Sequence, residues 1–230
     1  MKKTNDKRRE FLVSALSTGV YALCTMGVAQ SVWGMAKIPH KLVSGKSIYD
    51  LSGEVSVDGK AATENTVISV NSNVRTGENS HVVFVVGTDA FILRSNSALI
   101  VEGDLILSQI KLISGKLLSV FGHRVKKQRL SINTATATIG IRGTGVYLEV
   151  DAKKTYICTC YGHTQLSAVN DKKSVEKVTA KHHDSPRYIY SDKPAGENIQ
   201  LAPVINHTDD ELVLLEALVG RDVPFVVDDY

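Results

Sequence analysis

The sequence predicts an all-β domain followed by one C-terminal α-helix, and three observations carry that expectation. Over residues 46–191, short alternating or β-branched runs are broken by Gly, Asn, Asp and Ser. The runs recur every 8 to 15 residues or so, which leaves no room for crossover helices and excludes a parallel α/β sheet. A helix-start signature stands near the end, at Thr208. A sandwich, a roll or a short β-solenoid would each satisfy this pattern.

Residues 1–36 read as an address rather than as structure. Lys2, Lys3, Lys7, Arg8 and Arg9 precede a mildly apolar run over 11–29, which leads to the small-residue site Gly34, Met35, Ala36. The segment Arg8-Arg9-Glu10-Phe11-Leu12 is similar to twin-arginine signal peptides, and Ser14, Ser17, Thr18, Gly19 and Thr25 keep the run only modestly hydrophobic. Cleavage there predicts a periplasmic protein with no stable membrane insertion. The competing reading is an uncleaved helix of about 18 residues, long enough to span a bilayer. Leu23 before Cys24 argues against a lipoprotein, which needs a small residue at that place.

Removing this segment takes five of 27 Lys+Arg and two of 24 Asp+Glu, leaving 22 of each. The mature chain is therefore near neutral and carries no broad electrostatic footprint for nucleic acid. Its one basic cluster, His123-Arg124-Val125-Lys126-Lys127-Gln128-Arg129, reads as a solvated loop or strand edge.

Within the β region, Gly53-Glu54-Val55-Ser56-Val57-Asp58-Gly59 alternates polar and apolar residues and ends in Asp-Gly, a pair suited to a tight hairpin turn. Residues 81–86 form a continuous apolar run, which predicts a strand buried on both faces. Further strands are expected over 90–93, 98–101, 110–120, 130–133, 146–150, 156–161, 165–168 and 175–180. After residue 191 comes a C-terminal extension. In it, Thr208-Asp209-Asp210-Glu211 forms a capping box with acids at the positive end of the helix dipole. Leu212, Leu215 and Val219 then line one face and Gly220 is a natural stop, predicting a helix over about 209–219 that docks on the β domain. The tail Pro224-Phe225-Val226-Val227-Asp228-Asp229-Tyr230 is apolar enough to tuck against the body or pair with a sheet edge.

The stretch from Ser52 to about Ala180 resembles the FecR domain, a family of periplasmic β-rich domains. The landmarks are the 53–59 run, Val74-Arg75-Thr76-Gly77-Glu78-Asn79-Ser80-His81-Val82-Val83-Phe84, Ile113-Ser114-Gly115-Lys116-Leu117, and the closing run 132–147 with its Arg142-Gly143-Thr144 signature. The resemblance implies a FecR-type β fold and a sensing, signalling or scaffold role toward an envelope protein partner or a small ligand. FecR regulators resemble anti-sigma factors with a cytoplasmic segment and a spanning helix. Only about ten residues precede the apolar run here, so what carries over is the binding use of the domain. Taken on its own residues, Arg142 between glycines predicts a strand kink whose arginine satisfies buried carbonyls.

After signal removal the remaining cysteines are Cys158 and Cys160, in Tyr156-Ile157-Cys158-Thr159-Cys160-Tyr161-Gly162. Residues two apart on a strand share a face, so the thiols project side by side at about 6 to 7 Å. That separation suits a shared metal better than a relaxed disulfide. The accompanying ligands are sought among His163, His182 and His183 with Asp184 nearby, and further on His207. Two thiolates with one or two imidazoles would select Zn or Cu. Adjacent His182 and His183 could both reach one ion only from a turn, which Pro186 makes plausible. A strained, redox-active disulfide and an inert pair of core cysteines are the other readings of the same motif. The sequence shows no Gly-x-Ser-x-Gly elbow, His-Glu-x-x-His, phosphate loop or catalytic carboxylate pair. Asp209, Asp210 and Glu211 read as helix-start residues. The expectation is a non-enzymatic binding, sensing or scaffold protein with a metal on Cys158, Cys160 and one or two of His163, His182 and His183. The alternatives are a small thiol redox protein and a purely structural envelope partner.

Overall fold

The computed structural model describes residues 39–104, 106–124 and 129–227. The predicted export signal, residues 1–36, lies outside them, as does the centre of the basic cluster. Among the described residues no helix is long and apolar enough to cross a membrane.

Strands β1 Ile48–Ser52, β2 Val55–Val57, β3 Lys60–Ala61, β4 Asn73–Thr76, β5 His81–Val86, β6 Asp89–Leu93 and β7 Ala98–Gly103 are short. Three long strands follow or flank them: β8 Leu107–Val120, β10 Ala137–Val150 and β11 Lys154–Ala168. The rest are β9 Leu130–Asn133, β12 Asp171–Ala180, β13 Arg187–Tyr190 and β14 Ile199–Leu201, with helix α1 at Asp209–Leu218. From His40 onward the chain belongs to one compact unit, so β14 and α1 sit in the same body as the β region.

The all-β expectation with one C-terminal helix holds. The strands form a single 14-stranded sheet. Each long strand serves two neighbourhoods, because its halves pair with different partners. The early part of β8 meets β7, whereas its residues 115–120 meet β10 on one side and, in part, β6 on the other. One pairing, β8 with β9, is parallel over Gln109, Ile110 and Lys111, and the other described pairings are antiparallel. The bent sheet wraps one aliphatic and aromatic core that draws on Val82, Phe84, Phe91, Leu93, Leu117, Ile139, Val146, Leu148 and Ile157.

Local expectations fare unevenly. The hairpin at Asp58-Gly59 is present, with φ of 52° and 77° at the two turn residues, and it joins β2 to β3. Residues 81–86 are buried on both faces as the run predicts. The strands expected separately over 156–161 and 165–168 are one strand, β11, and that over 146–150 continues back through the Arg-Gly-Thr signature into β10. Glycines bend these strands without ending them. Gly162 has φ +86°, and a side chain there would collide with the carbonyl oxygen of Gly143, itself at φ +58° on the partner strand. The two strands thus bend together at a shared bulge between Arg142 and Gly145.

Two expectations are corrected at the same place and nearby. Arg142 is exposed and does not satisfy buried carbonyls; the buried member of the signature is Thr144, whose hydroxyl donates to the His163 carbonyl at 2.9 Å. Beyond the bulge, Arg142 falls on the solvent face of the bent strand. Arg124 is not a solvated cation either. It pairs with buried Asp89, which also accepts from the Gly122 amide at 3.0 Å. An ionised carboxylate that has lost its water needs such partners.

Helix α1 begins as its capping box predicts, with Glu211 accepting from the Thr208 amide at 3.0 Å. It ends at Gly220, where φ is +76° and the Gly220 and Arg221 amides donate to Ala217 and Glu216. It packs on β6 and β8, burying Leu212, Leu214, Leu215 and Leu218.

Candidate metal centre

Strand β11 brings the two cysteines to the face opposite the core. Ile157 belongs to the core cluster, whereas Cys158 and Cys160 are fully buried on the other side, beneath the C-terminal segment. In the pairing of β11 with β10, Thr159 lies opposite Val146 and Tyr161 opposite Gly145, so Cys160 is the extra, bulged residue. A bulge increases local twist. The ligand atoms of Cys158, Cys160, His183 and His207 all lie within 4.8 Å of one another, closer than flat alternation predicts for the sulfurs.

His183 reaches the cysteines from the connection between β12 and β13. Its φ of +49° is the turn conformation that the adjacent histidines need. Nδ1 of His183 lies 3.6 Å from Cys158 Sγ and 2.8 Å from His207 Nε2. His207 comes from the segment entering α1, and its ring stacks on Tyr147 at 4.6 Å.

The outer nitrogens of both rings are committed. His207 Nδ1 donates to the Ile205 carbonyl at 2.6 Å, and His183 Nε2 donates to Asp209 at 2.9 Å. Because a carbonyl and a carboxylate only accept, those nitrogens carry the protons. In neutral rings, His183 Nδ1 and His207 Nε2 would then present lone pairs to each other across 2.8 Å. Such a contact requires a cation between or beside them, either a proton or a metal ion. Outer nitrogens held by a carboxylate and a carbonyl are also what orients metal-binding histidines.

The charges fit the same picture. Hydrogen bonding from Cys160, against the cost of burial, holds the Cys158 thiol down at about 4, with His183 and His207 assisting. Burial and the neighbouring Cys158 push the Cys160 thiol well above its ordinary value. Burial works against a charged His183, but the Cys158 thiolate and Asp209 outweigh it and raise its pKa. A metal ion bound here would take these groups as thiolates and neutral imidazoles, the forms that coordinate.

A tetrahedral ion with bonds of about 2.0–2.3 Å separates its ligand atoms by about 3.3–3.8 Å, so these four donors need shifts of only about 1 Å to enclose one. The residues present therefore fit a transition metal.

Of the residues singled out from sequence, Cys158, Cys160 and His183 converge. His182 lies at the rim: it does not join the four donors, but its Nε2 meets both Asp209 oxygens at 2.9 Å. His163 is not brought in. It is exposed, on the far side of the Gly162 bend, with Nδ1 2.9 Å from the Thr179 hydroxyl. Asp184 closes its own loop on the Lys181 amide at 3.4 Å. His207, the most distant candidate along the chain, supplies the fourth donor. Asp209 serves a purpose beyond starting the helix, since it accepts from both His182 and His183. Its position two residues after His207 was the available signal.

Comparison with known proteins places the site at the edge of a recognised region. The family described as FecR protein matches residues 72–163, which include both cysteines but neither His183, His207 nor Asp209. No curated protein matches the chain. Two crystal structures of a candidate anti-sigma factor from Parabacteroides distasonis ATCC 8503, at 1.65 Å and 2.50 Å, are similar to it. Each has 7% identity and a TM-score of 0.45, with 56% of this chain and 57% of the other covered. The chain thus spans a little over half the length of that protein.

Proposed function

We propose that this chain is a FecR-type sensing or scaffold protein of the bacterial envelope that carries a zinc ion on Cys158, Cys160, His183 and His207. The observation that carries the reading is the pair of histidine nitrogens facing each other at 2.8 Å beside two buried sulfurs, with both outer nitrogens already engaged. The match to the FecR family over residues 72–163 supports the envelope and signalling part. The sequence-predicted export signal supports a periplasmic location.

Zinc is preferred over copper on charge and geometry. Two thiolates and a divalent ion make a neutral complex. A monovalent ion would leave a net negative charge buried beside the Asp209 carboxylate, at high desolvation cost. Tetrahedral sulfur and nitrogen donors suit zinc, whereas divalent copper favours tetragonal sets. With four protein donors the ion keeps no open position for substrate, so its role is structural or sensory rather than catalytic. The partner is an envelope protein or a small ligand.

Elemental analysis of the protein purified after export tests the reading. About one equivalent of zinc is expected, and cobalt substitution should give thiolate-to-metal absorption that Cys158→Ser with Cys160→Ser removes. Less than about a tenth of an equivalent of any transition metal, in protein with intact free thiols, would overturn it. A reversible, oxidant-sensitive dithiol in metal-free protein would instead establish the thiol redox alternative.

A further inference from the structure

The four donors come from three separate stretches of chain: β11, the turn between β12 and β13, and the segment entering α1. Both ends of that last segment converge on the same turn. Ahead of the helix, His207 meets His183 at 2.8 Å, and Asp209 accepts from both His182 and His183. Behind it, Phe225 stacks on His182 at 4.4 Å and lies 6.2 Å from His183. The helix between these points is ten residues long, too short to persist by itself in water.

Resting on the zinc reading, we infer that the ion is a latch: its occupancy decides whether residues 203–227, with α1, stay closed over the outer face of the sheet. Bound, the ion joins His207 covalently to Cys158 and Cys160 and fixes His183 where it supports Asp209. Stripped of the ion, the same place keeps only the contact between the His183 and His207 rings, a far weaker tie than metal bonds to both strand and segment.

Other contacts keep the segment from leaving altogether. The helix leucines are buried, Arg94 pairs with Glu211 at 2.7 Å, buried Glu216 accepts from the Tyr161 hydroxyl, and Arg221 donates to the Thr88 carbonyl at 2.7 Å. Tyr156 adds a bond from its hydroxyl to the Pro203 carbonyl at 2.9 Å. Metal loss therefore raises the frequency of local opening rather than unfolding the domain. Each opening uncovers a buried apolar row on the sheet, including Ile92 and Leu118. A sensing protein gains in this way an output: metal state becomes surface exposure.

Amide hydrogen exchange on the purified protein, zinc-loaded and after chelation, tests the latch. Metal stoichiometry is measured on the same samples. After chelation the amides of 204–220 should exchange about tenfold faster or more, while those of β5 and of residues 109–114 in β8 change less than about twofold. Two results overturn the inference while leaving the zinc site intact: zinc bound and removed stoichiometrically with no change over 204–220, or an equal loss of protection across the whole sheet. Failure to bind zinc at all would be seen in the stoichiometry, and would remove the site along with the latch.

Discussion

Two neighbouring rows of side chains cross the same five strands and are buried by different chemistry. The first runs Val82, Leu93, Leu117, Leu148, Ile157, each residue opposite the next, and every member belongs to the aliphatic core. One residue along, the second runs Val83, Ile92, Leu118, Tyr147, Cys158 and faces the other way. Above it lie α1 and the histidines. The inner row needs only volume and apolarity. The outer row turns polar toward β11, where Tyr147, Cys158, His183, His207 and Asp209 each require a particular partner. Packing explains the first row fully. The second spends burial on groups that water would have solvated more cheaply, and such expense marks a site.

The comparison predicts that mutations in the two rows separate stability from binding. Leu148→Ala on the inner row should lose about 2–5 kcal/mol of unfolding free energy, read by urea denaturation, with zinc stoichiometry unchanged in the folded protein. Equal zinc loss in that variant would merge the two faces into one unit. On the outer side, Asp209→Asn keeps the helix start but weakens the support of His183. It should reduce zinc affinity about 10–100-fold in competition with a chromophoric chelator, without a comparable loss in the metal-free stability. Tyr147→Phe retains the ring stacked on His207 and removes only the hydroxyl that donates to Glu149 at 2.7 Å. A loss of about 1 kcal/mol in stability is expected, because Glu149 still accepts from Asn206 at 2.7 Å.

The smallest effect concerns a third place, the β12 end, and serves as a control on pH. Asp171 accepts from the Ser174 hydroxyl at 2.6 Å, from the Gly196 and Lys173 amides and from Asn198, and these bonds hold its carboxyl well below the usual range. A depressed native pKa contributes stability that is present above the ordinary aspartate value and is lost as pH falls through the native one. Asp171→Asn should therefore flatten the acid limb of the stability profile between those two values and leave zinc binding at neutral pH unaltered. A metal-binding change in this variant would show that the distant loop is coupled to the outer face.

Much of the β architecture could be read from local pattern. Alternation and β-branching located the strands from 81 to 180, Asp58-Gly59 its turn, and Thr208 with Glu211 the helix start. Missed were the short β1, β3, β4, β13 and β14, whose few residues carry too little periodicity to register. The kink read at Arg142-Gly143 is present, whereas the break expected between residues 161 and 165 is a bend at Gly162, because the partner strand bulges at the same point and keeps the ladder joined.

For the site, Cys158, Cys160 and His183 were legible because two of them share a strand face and the third sits in a recognisable turn. His163 was drawn in by nearness in sequence, and the Gly162 bend carries it to the exposed side. His207 and Asp209 could be weighed only by where the helix docks. Sequence by itself determined the class of fold, the helix and the presence of soft donors, since each depends on neighbours a few residues apart. Which imidazoles meet the sulfurs was decided by tertiary structure alone, because that depends on a bulge in β11 and on a helix folding back across the sheet, contacts that no local pattern encodes.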